Sequence, residues 1–98
     1  MHFILYCKDK PGSLALRLAN RQAHLDYVKN STCVRIGGPI LGDDHESMAG
    51  SVLVLELDTQ AQAQAWSDGD PYTKAGLFDS VDIRPFRWSV GNPSLPKA

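Results

Sequence analysis

The segment 51–57, reading SVLVLEL, is a strand with apolar side chains on both faces, and it constrains this chain more than any other feature. Side chains alternate along a strand, so Leu53, Leu55 and Leu57 share one face while Val52 and Val54 take the other. The opening apolar run behaves alike, with Phe3, Leu5 and Cys7 opposing Ile4 and Tyr6. A sheet built from such strands has to be covered twice. With 98 residues, the chain has room for one domain and one core, and a domain that small gains from oligomerisation.

The remaining punctuation sets the order of elements. The first strand, over 2–7, ends in Lys8-Asp9-Lys10-Pro11-Gly12, a run with strong turn chemistry. Ser13 is placed to cap a helix that ends near Lys29 or Asn30. In this helix Leu14, Leu18, Leu25 and Val28 recur at helical spacing and predict a core-facing stripe. A second strand is expected over 32–36, with Gly37-Gly38-Pro39 as a break or bulge. The polar run 42–47 reads as a hairpin loop before the strand over 51–57. Asp58 or Thr59 then caps a helix over 60–66, which Ser67-Asp68-Gly69-Asp70 ends. Pro71 suits the first position of a short helical turn over 71–75, closed by Gly76. The last strand is expected over 78–88, with Pro85 marking a kink or an edge, and an extended tail over 89–98.

The order β-α-β-β-α-β predicts an α+β, ferredoxin-like domain over 1–98: a four-stranded antiparallel sheet with two helices on one face. The second apolar face then needs its own cover. A partner's sheet packed face to face supplies one, so a homodimer through sheet faces is expected. At about 25 cal/mol per Å² of apolar surface, leaving that face wet forgoes several kcal/mol. The alternative, a monomer covered by its tail, is disfavoured because the tail is short and broken by proline.

Several function classes lack support. A net charge of −1 gives no long-range pull toward nucleic acid or an anionic membrane. No apolar run reaches bilayer-spanning length, and the N-terminal residues do not follow signal-peptide order, so a cytoplasmic protein is expected. Cys7 and Cys33 lack metal or redox spacing and sit in strand-like apolar segments, as small buried hydrophobes do. Asp43-Asp44-His45-Glu46 is consecutive on a hairpin tip, which suits a solvated turn better than converging ligands, so no metal is expected. His2 reads as a strand-end histidine, and Trp66 and Trp88 as packing anchors. There is no phosphate loop, nucleophile elbow or aromatic-and-basic nucleic-acid platform.

Two features carry possible chemistry. At 100° per residue, Arg21 falls in the middle of the helical leucine stripe, with Arg17 and His24 on its flank. A cation there needs a partner or a wet pocket; the bland alternative is an arginine snorkelling to water beside a surface histidine. The second feature is Asp68-Gly69-Asp70-Pro71-Tyr72. Asp70 suits a helix cap, but the topology also allows it to meet His24 at one end of the helix layer. An Asp bonded to one imidazole nitrogen fixes the tautomer and makes the other nitrogen a better base. The same pair also serves as a structural ion pair.

The pattern Arg21-Gln22-Ala23-His24-Leu25-Asp26-Tyr27-Val28, then Gly38-Pro39-Ile40, then Asp70-Pro71-Tyr72-Thr73-Lys74-Ala75-Gly76-Leu77, then Arg84-Pro85-Phe86, resembles the YCII-related family over nearly the whole chain. The resemblance implies a ferredoxin-like fold paired into a dimeric α+β barrel. It also implies an acid-base pair on His24 and Asp70, and some members look like lactone or chlorinated-aromatic pathway enzymes. Arg21 then becomes a candidate anion binder, Tyr72 a candidate pocket wall or hydrogen-bond donor, and Gly38 and Pro39 shapers of the backbone near a pocket. The expected function is a cofactor-independent enzyme acting on a small anionic organic substrate, by isomerisation, lactone opening or elimination. The alternatives are a non-catalytic metabolite-binding or regulatory module, using the same Arg and His, and an auxiliary domain that recruits a protein partner through its dimer surface.

Overall fold

In the computed structural model, which describes residues 1–94, β1 (His2–Asp9) is followed by α1 (Leu14–Asn30), β2 (Val34–Leu41) and β3 (Met48–Glu56). Then come α2 (Gln60–Gly69), the single turn α3 (Pro71–Lys74) and β4 (Phe78–Phe86). The strands form one antiparallel sheet in the order β2-β3-β1-β4, the ferredoxin-like βαββαβ arrangement. Pairing of β1 with β3 puts Phe3 opposite Leu55 and Leu5 opposite Leu53. With Cys7 and Ala63 of α2 they make the buried core, against which Val28 of α1 and Trp66 of α2 also pack. Both long helices therefore lie on this face.

The reverse face carries Ile4 opposite Val54, Tyr6 opposite Val52, and Ile36 of β2 opposite Val54. Tyr6 and Ile36 stay 42% and 47% exposed, so residues 1–94 of one chain leave this apolar face partly open. After β4 the chain turns at the end of the sheet, where Trp88 packs edge-on against His2 at 5.6 Å and its indole donates to the Val90 carbonyl at 2.8 Å. Of the tail expected over 89–98, residues 95–98 lie outside the described part.

Several boundaries differ from expectation, each for a local reason. β2 starts at Val34 and runs through Gly37-Gly38-Pro39 to Leu41, with register shifts at 34/36 and 40/41. It is an edge strand, where proline costs no ladder bond. β3 starts earlier, at Met48, because the hairpin closes tightly: Gly42 donates to the Ser47 carbonyl, and Asp44 accepts from the Glu46 and Ser47 amides. Asp43 to Glu46 are all exposed there. β4 ends at Phe86 and is the other edge, which accommodates Pro85. Thr59 caps α2 through a reciprocal capping box with Gln62, whereas Ser13 sits at the α1 N-cap without a side-chain cap bond.

The largest correction concerns α1. Of its apolar stripe only Val28 packs against the core: Leu14, Leu18 and Leu25 are 47%, 53% and 41% exposed, and the buried residues are Arg17 and His24. The rotation gives those two polar side chains dedicated partners on other elements, Asp9 and Ser51 for Arg17 and Asp70 for His24, at the expense of leucine burial. The buried cation is Arg17; Arg21 is exposed.

Candidate active site

The inner end of the site is built at the start of α1. Gly12, at φ 69°, lets the chain reverse after β1, so the first turn of the helix returns over the end of that strand. Arg17 there donates from Nε to Asp9 Oδ2 at 2.7 Å and from Nη2 to Asp9 Oδ1 at 3.0 Å and Ser51 Oγ at 2.9 Å. Burial works against the charge of this guanidinium. The Asp9 hydrogen bond and charge outweigh it and hold Arg17 above its ordinary value. Nη1 makes no hydrogen bond among the described residues, and the Arg17 side chain lines a cavity.

Seven residues further along the same helix face, His24 places Nδ1 2.8 Å from Asp70 Oδ1. Asp70 is 2% exposed and also accepts the Tyr72 amide at 2.9 Å, capping α3 ahead of Pro71. A carboxylate only accepts, so the neutral imidazole donates its Nδ1 proton to it and presents a bare Nε2 lone pair. No described residue hydrogen-bonds that Nε2. Tyr72 stacks on His24, with ring centroids 4.1 Å apart and planes inclined by 14°, and the Arg17 Cζ lies 4.7 Å from the Tyr72 centroid. Burial pushes the Tyr72 phenol above its usual value despite the pull of Arg17 and Arg21. It stays protonated at neutral pH and can donate.

These groups border one cavity of about 160 Å³ between α1 and the β2–β3 half of the sheet. Arg17, Arg21, His24, Ser51 and Tyr72 form its polar wall. The apolar wall includes Leu25, Val28, Leu53, Met48 and Pro39, with the bare backbone of Gly37 and Gly38. A Cβ on Gly37 would lie 3.1 Å from Leu53 Cδ2, so glycine there gives the cavity its width. A space of roughly 150 Å³ accommodates one six-membered ring. The arrangement is suited to a small anion: two guanidiniums and a phenol for its oxygens, an imidazole base, and an apolar slot for its carbon skeleton.

The structure thus brings together His24, Asp70, Tyr72 and Arg21, with Asp70 behind the imidazole and the other three on the cavity wall. Asp9 and Ser51 were not singled out from sequence, and Arg17 was named only as a flank of the helical stripe, without a role. The available signal was Asp9 one residue before a Pro-Gly reversal, followed by an arginine at the end of the first helical turn. Cys7 lies under the site, 1% exposed; burial and the neighbouring Asp70 charge push its thiol up to about 12, so it is not a nucleophile at neutral pH. Among the described residues no three His, Cys, Asp or Glu side chains are grouped to hold a metal ion, and no helix is long and apolar enough to cross a membrane.

The YCII-related domain model matches residues 1–87. Protein YciI of Escherichia coli O6:H1 is 33% identical over 95 residues, covering 89% of this chain and 97% of that protein. The 5-chloro-2-hydroxyhydroquinone dehydrochlorinase TftG of Burkholderia phenoliruptrix AC1100, solved with 2,5-dihydroxybenzoquinone, is 37% identical. It superposes with a TM-score of 0.81 over 89% of this chain and 94% of TftG. An antibiotic biosynthesis monooxygenase shares the fold alone, at 10% identity and a TM-score of 0.52, over 88% of this chain and 97% of its own. By the match of its residues 1–87 and by these relatives, the chain belongs to the YCII-related domain family.

Proposed function

We propose that the chain is an acid-base enzyme acting on a small, ring-sized anionic organic substrate. The observation that carries this reading is a His24–Asp70 pair at 2.8 Å whose imidazole borders a cavity shared with Arg17 and Arg21. In it, His24 Nε2 takes a proton from a carbon beside a carbonyl, and Asp70 holds the ring and offsets the imidazolium charge. Arg21 and the free Nη1 of Arg17 hold the developing enolate oxygen, and the Tyr72 phenol donates to the same anion. The electron pair of the broken C–H bond then forms a double bond. The proton returns at another carbon, which is isomerisation, or a leaving group departs with its bonding pair, which is elimination. Neither outcome requires a cofactor. The likeness to TftG, a dehydrochlorinase solved with a dihydroxybenzoquinone, favours elimination on a cyclic oxygenated substrate.

The same proposal includes a homodimer. Two copies pairing through the open faces around Tyr6 and Ile36 cover apolar surface that one chain leaves wet. The free thiols of Cys7 and Cys33 suit the reducing cytoplasm.

Thermal-shift screening against small organic acids and hydroxyquinones, 2,5-dihydroxybenzoquinone among them, tests the reading when followed by turnover assays on each hit. Turnover that drops by roughly 10²–10⁴ in His24→Ala is expected. Binding without turnover contradicts catalysis and favours a metabolite sensor.

A further inference from the structure

Gly69 occupies the last turn of α2 with no left-handed backbone to require glycine there; the left-handed glycines are Gly12, Gly76 and Gly91. In a right-handed helix glycine has no conformational advantage over alanine, and at this position a steric contact favours it. That contact lies on α1. A Cβ on Gly69 would stand 2.6 Å from Tyr27 Oη and 3.3 Å from Tyr27 Cζ. The phenol fills that space and donates to the Trp66 carbonyl at 2.7 Å. Trp66 answers across the same seam: its indole N–H donates to Ser31 Oγ at 2.9 Å, and Ser31 Oγ donates to the Tyr27 carbonyl at 2.7 Å. The two rings meet at 5.0 Å.

This seam joins α1 to α2 right beside the dyad. Tyr27 is one turn beyond His24 on α1, and Gly69 is the residue before Asp70. The polar contacts just described fix the helix spacing to within a hydrogen-bond length, where apolar packing alone would allow the helices to slide. We infer that Tyr27 and Gly69 form a positioning pair: the phenol, seated where Gly69 lacks a side chain, sets the distance at which Asp70 meets His24 Nδ1. The Asp68-Gly69 spacer, which carries no chemistry of its own, thereby acquires a role. The inference bears on the acid-base reading, because the tautomer of His24 depends on that distance, but its test needs no substrate.

The test is long-range ¹H–¹⁵N NMR of the imidazoles in protein labelled at histidine, which reports the tautomer of each of the three histidines. The His24 signals are identified by their loss in His24→Gln. In the native protein His24 is expected as the Nδ1–H tautomer with a slowly exchanging proton. Gly69→Ala should abolish that slow exchange and mix the tautomers. Tyr27→Phe, which keeps the ring and removes only the hydroxyl, should do so to a smaller degree. The double variant Gly69→Ala with Tyr27→Phe should recover part of the native signal relative to Gly69→Ala, because removing the oxygen leaves the new methyl group its nearest neighbour at about 3.3 Å. If Gly69→Ala fails to fold, Tyr27→Phe alone decides. A folded variant whose melting temperature falls while the His24 signals stay native would reduce the seam to structural packing and overturn the inference. Absence of turnover in every assay, with the NMR pattern as expected, would sink the acid-base reading and leave the positioning pair standing.

Discussion

Helices α1 and α2 pack on the same face of the same sheet by opposite rules. α2 presents a small apolar residue, Ala63, to the core, and a capping box starts it. α1 buries an arginine and a histidine and leaves four leucines exposed, Leu14, Leu16, Leu18 and Leu25. Stability alone favours the α2 arrangement: paired buried charges are often no better than apolar replacements, and the leucines on α1 forgo burial. Local departures of this kind are expected where a chain holds a functional constellation. The difference therefore marks which helix carries the site.

The contrast can be attacked first at Arg17. Arg17→Met should destabilise the fold by about 3–5 kcal/mol in urea titrations, because Asp9 is then left buried without its partner. Adding Asp9→Asn to that variant should recover part of the loss. A single variant as stable as the native chain would mean the ion pair does not set the rotation of α1.

Cys7, beneath both helices, gives a pH signature. Its thiol holds its proton more tightly in the fold than in the open chain, rising from 9.0 to about 12. The native state therefore binds more protons above pH 9. Stability is fully present below that value and falls as pH rises toward 12, by on the order of 4 kcal/mol at the upper end. Cys7→Ala should flatten the stability curve between pH 9 and 12; an unchanged slope would assign the alkaline loss to Cys33, Tyr27 and Tyr72.

On α2, Thr59→Ala should cost about 1 kcal/mol, the usual value of an N-cap, in the same titrations. A loss as large as that of Arg17→Met would erase the contrast. The smallest change is expected from Leu18→Gln on the exposed stripe, within about 0.5 kcal/mol. A larger loss would mean that another surface covers these leucines in solution.

What could be read from sequence follows the same division. The strand over 51–57, the Thr59 cap and the Asp70-Pro71 start of α3 are local: each depends on residues within a few positions of one another. The meeting of His24 with Asp70 was anticipated from topology and from the resemblance at the R-x-x-H-L and D-P-Y segments. The rotation of α1 was not, because a helical wheel ranks faces by hydrophobicity and contains no information about partners elsewhere. Arg17 finds Asp9 eight residues back and Ser51 thirty-four residues ahead, and only the folded sheet brings Ser51 beside it. The passage of β2 through Gly37-Gly38-Pro39 likewise depends on pairing with β3, which makes an apparent break into the wall of a cavity.

The central claim is that His24, oriented by Asp70, moves a proton on a molecule held by the two arginines. Its most direct measurement is deuterium uptake from D2O into the C–H bond beside the carbonyl of small cyclic and short-chain keto acids, followed by NMR. The native protein should accelerate exchange for at least one of them, and His24→Gln should lower that rate by roughly 10²–10⁴. Exchange no faster than in buffer across the whole set, or exchange untouched by His24→Gln, would contradict the account.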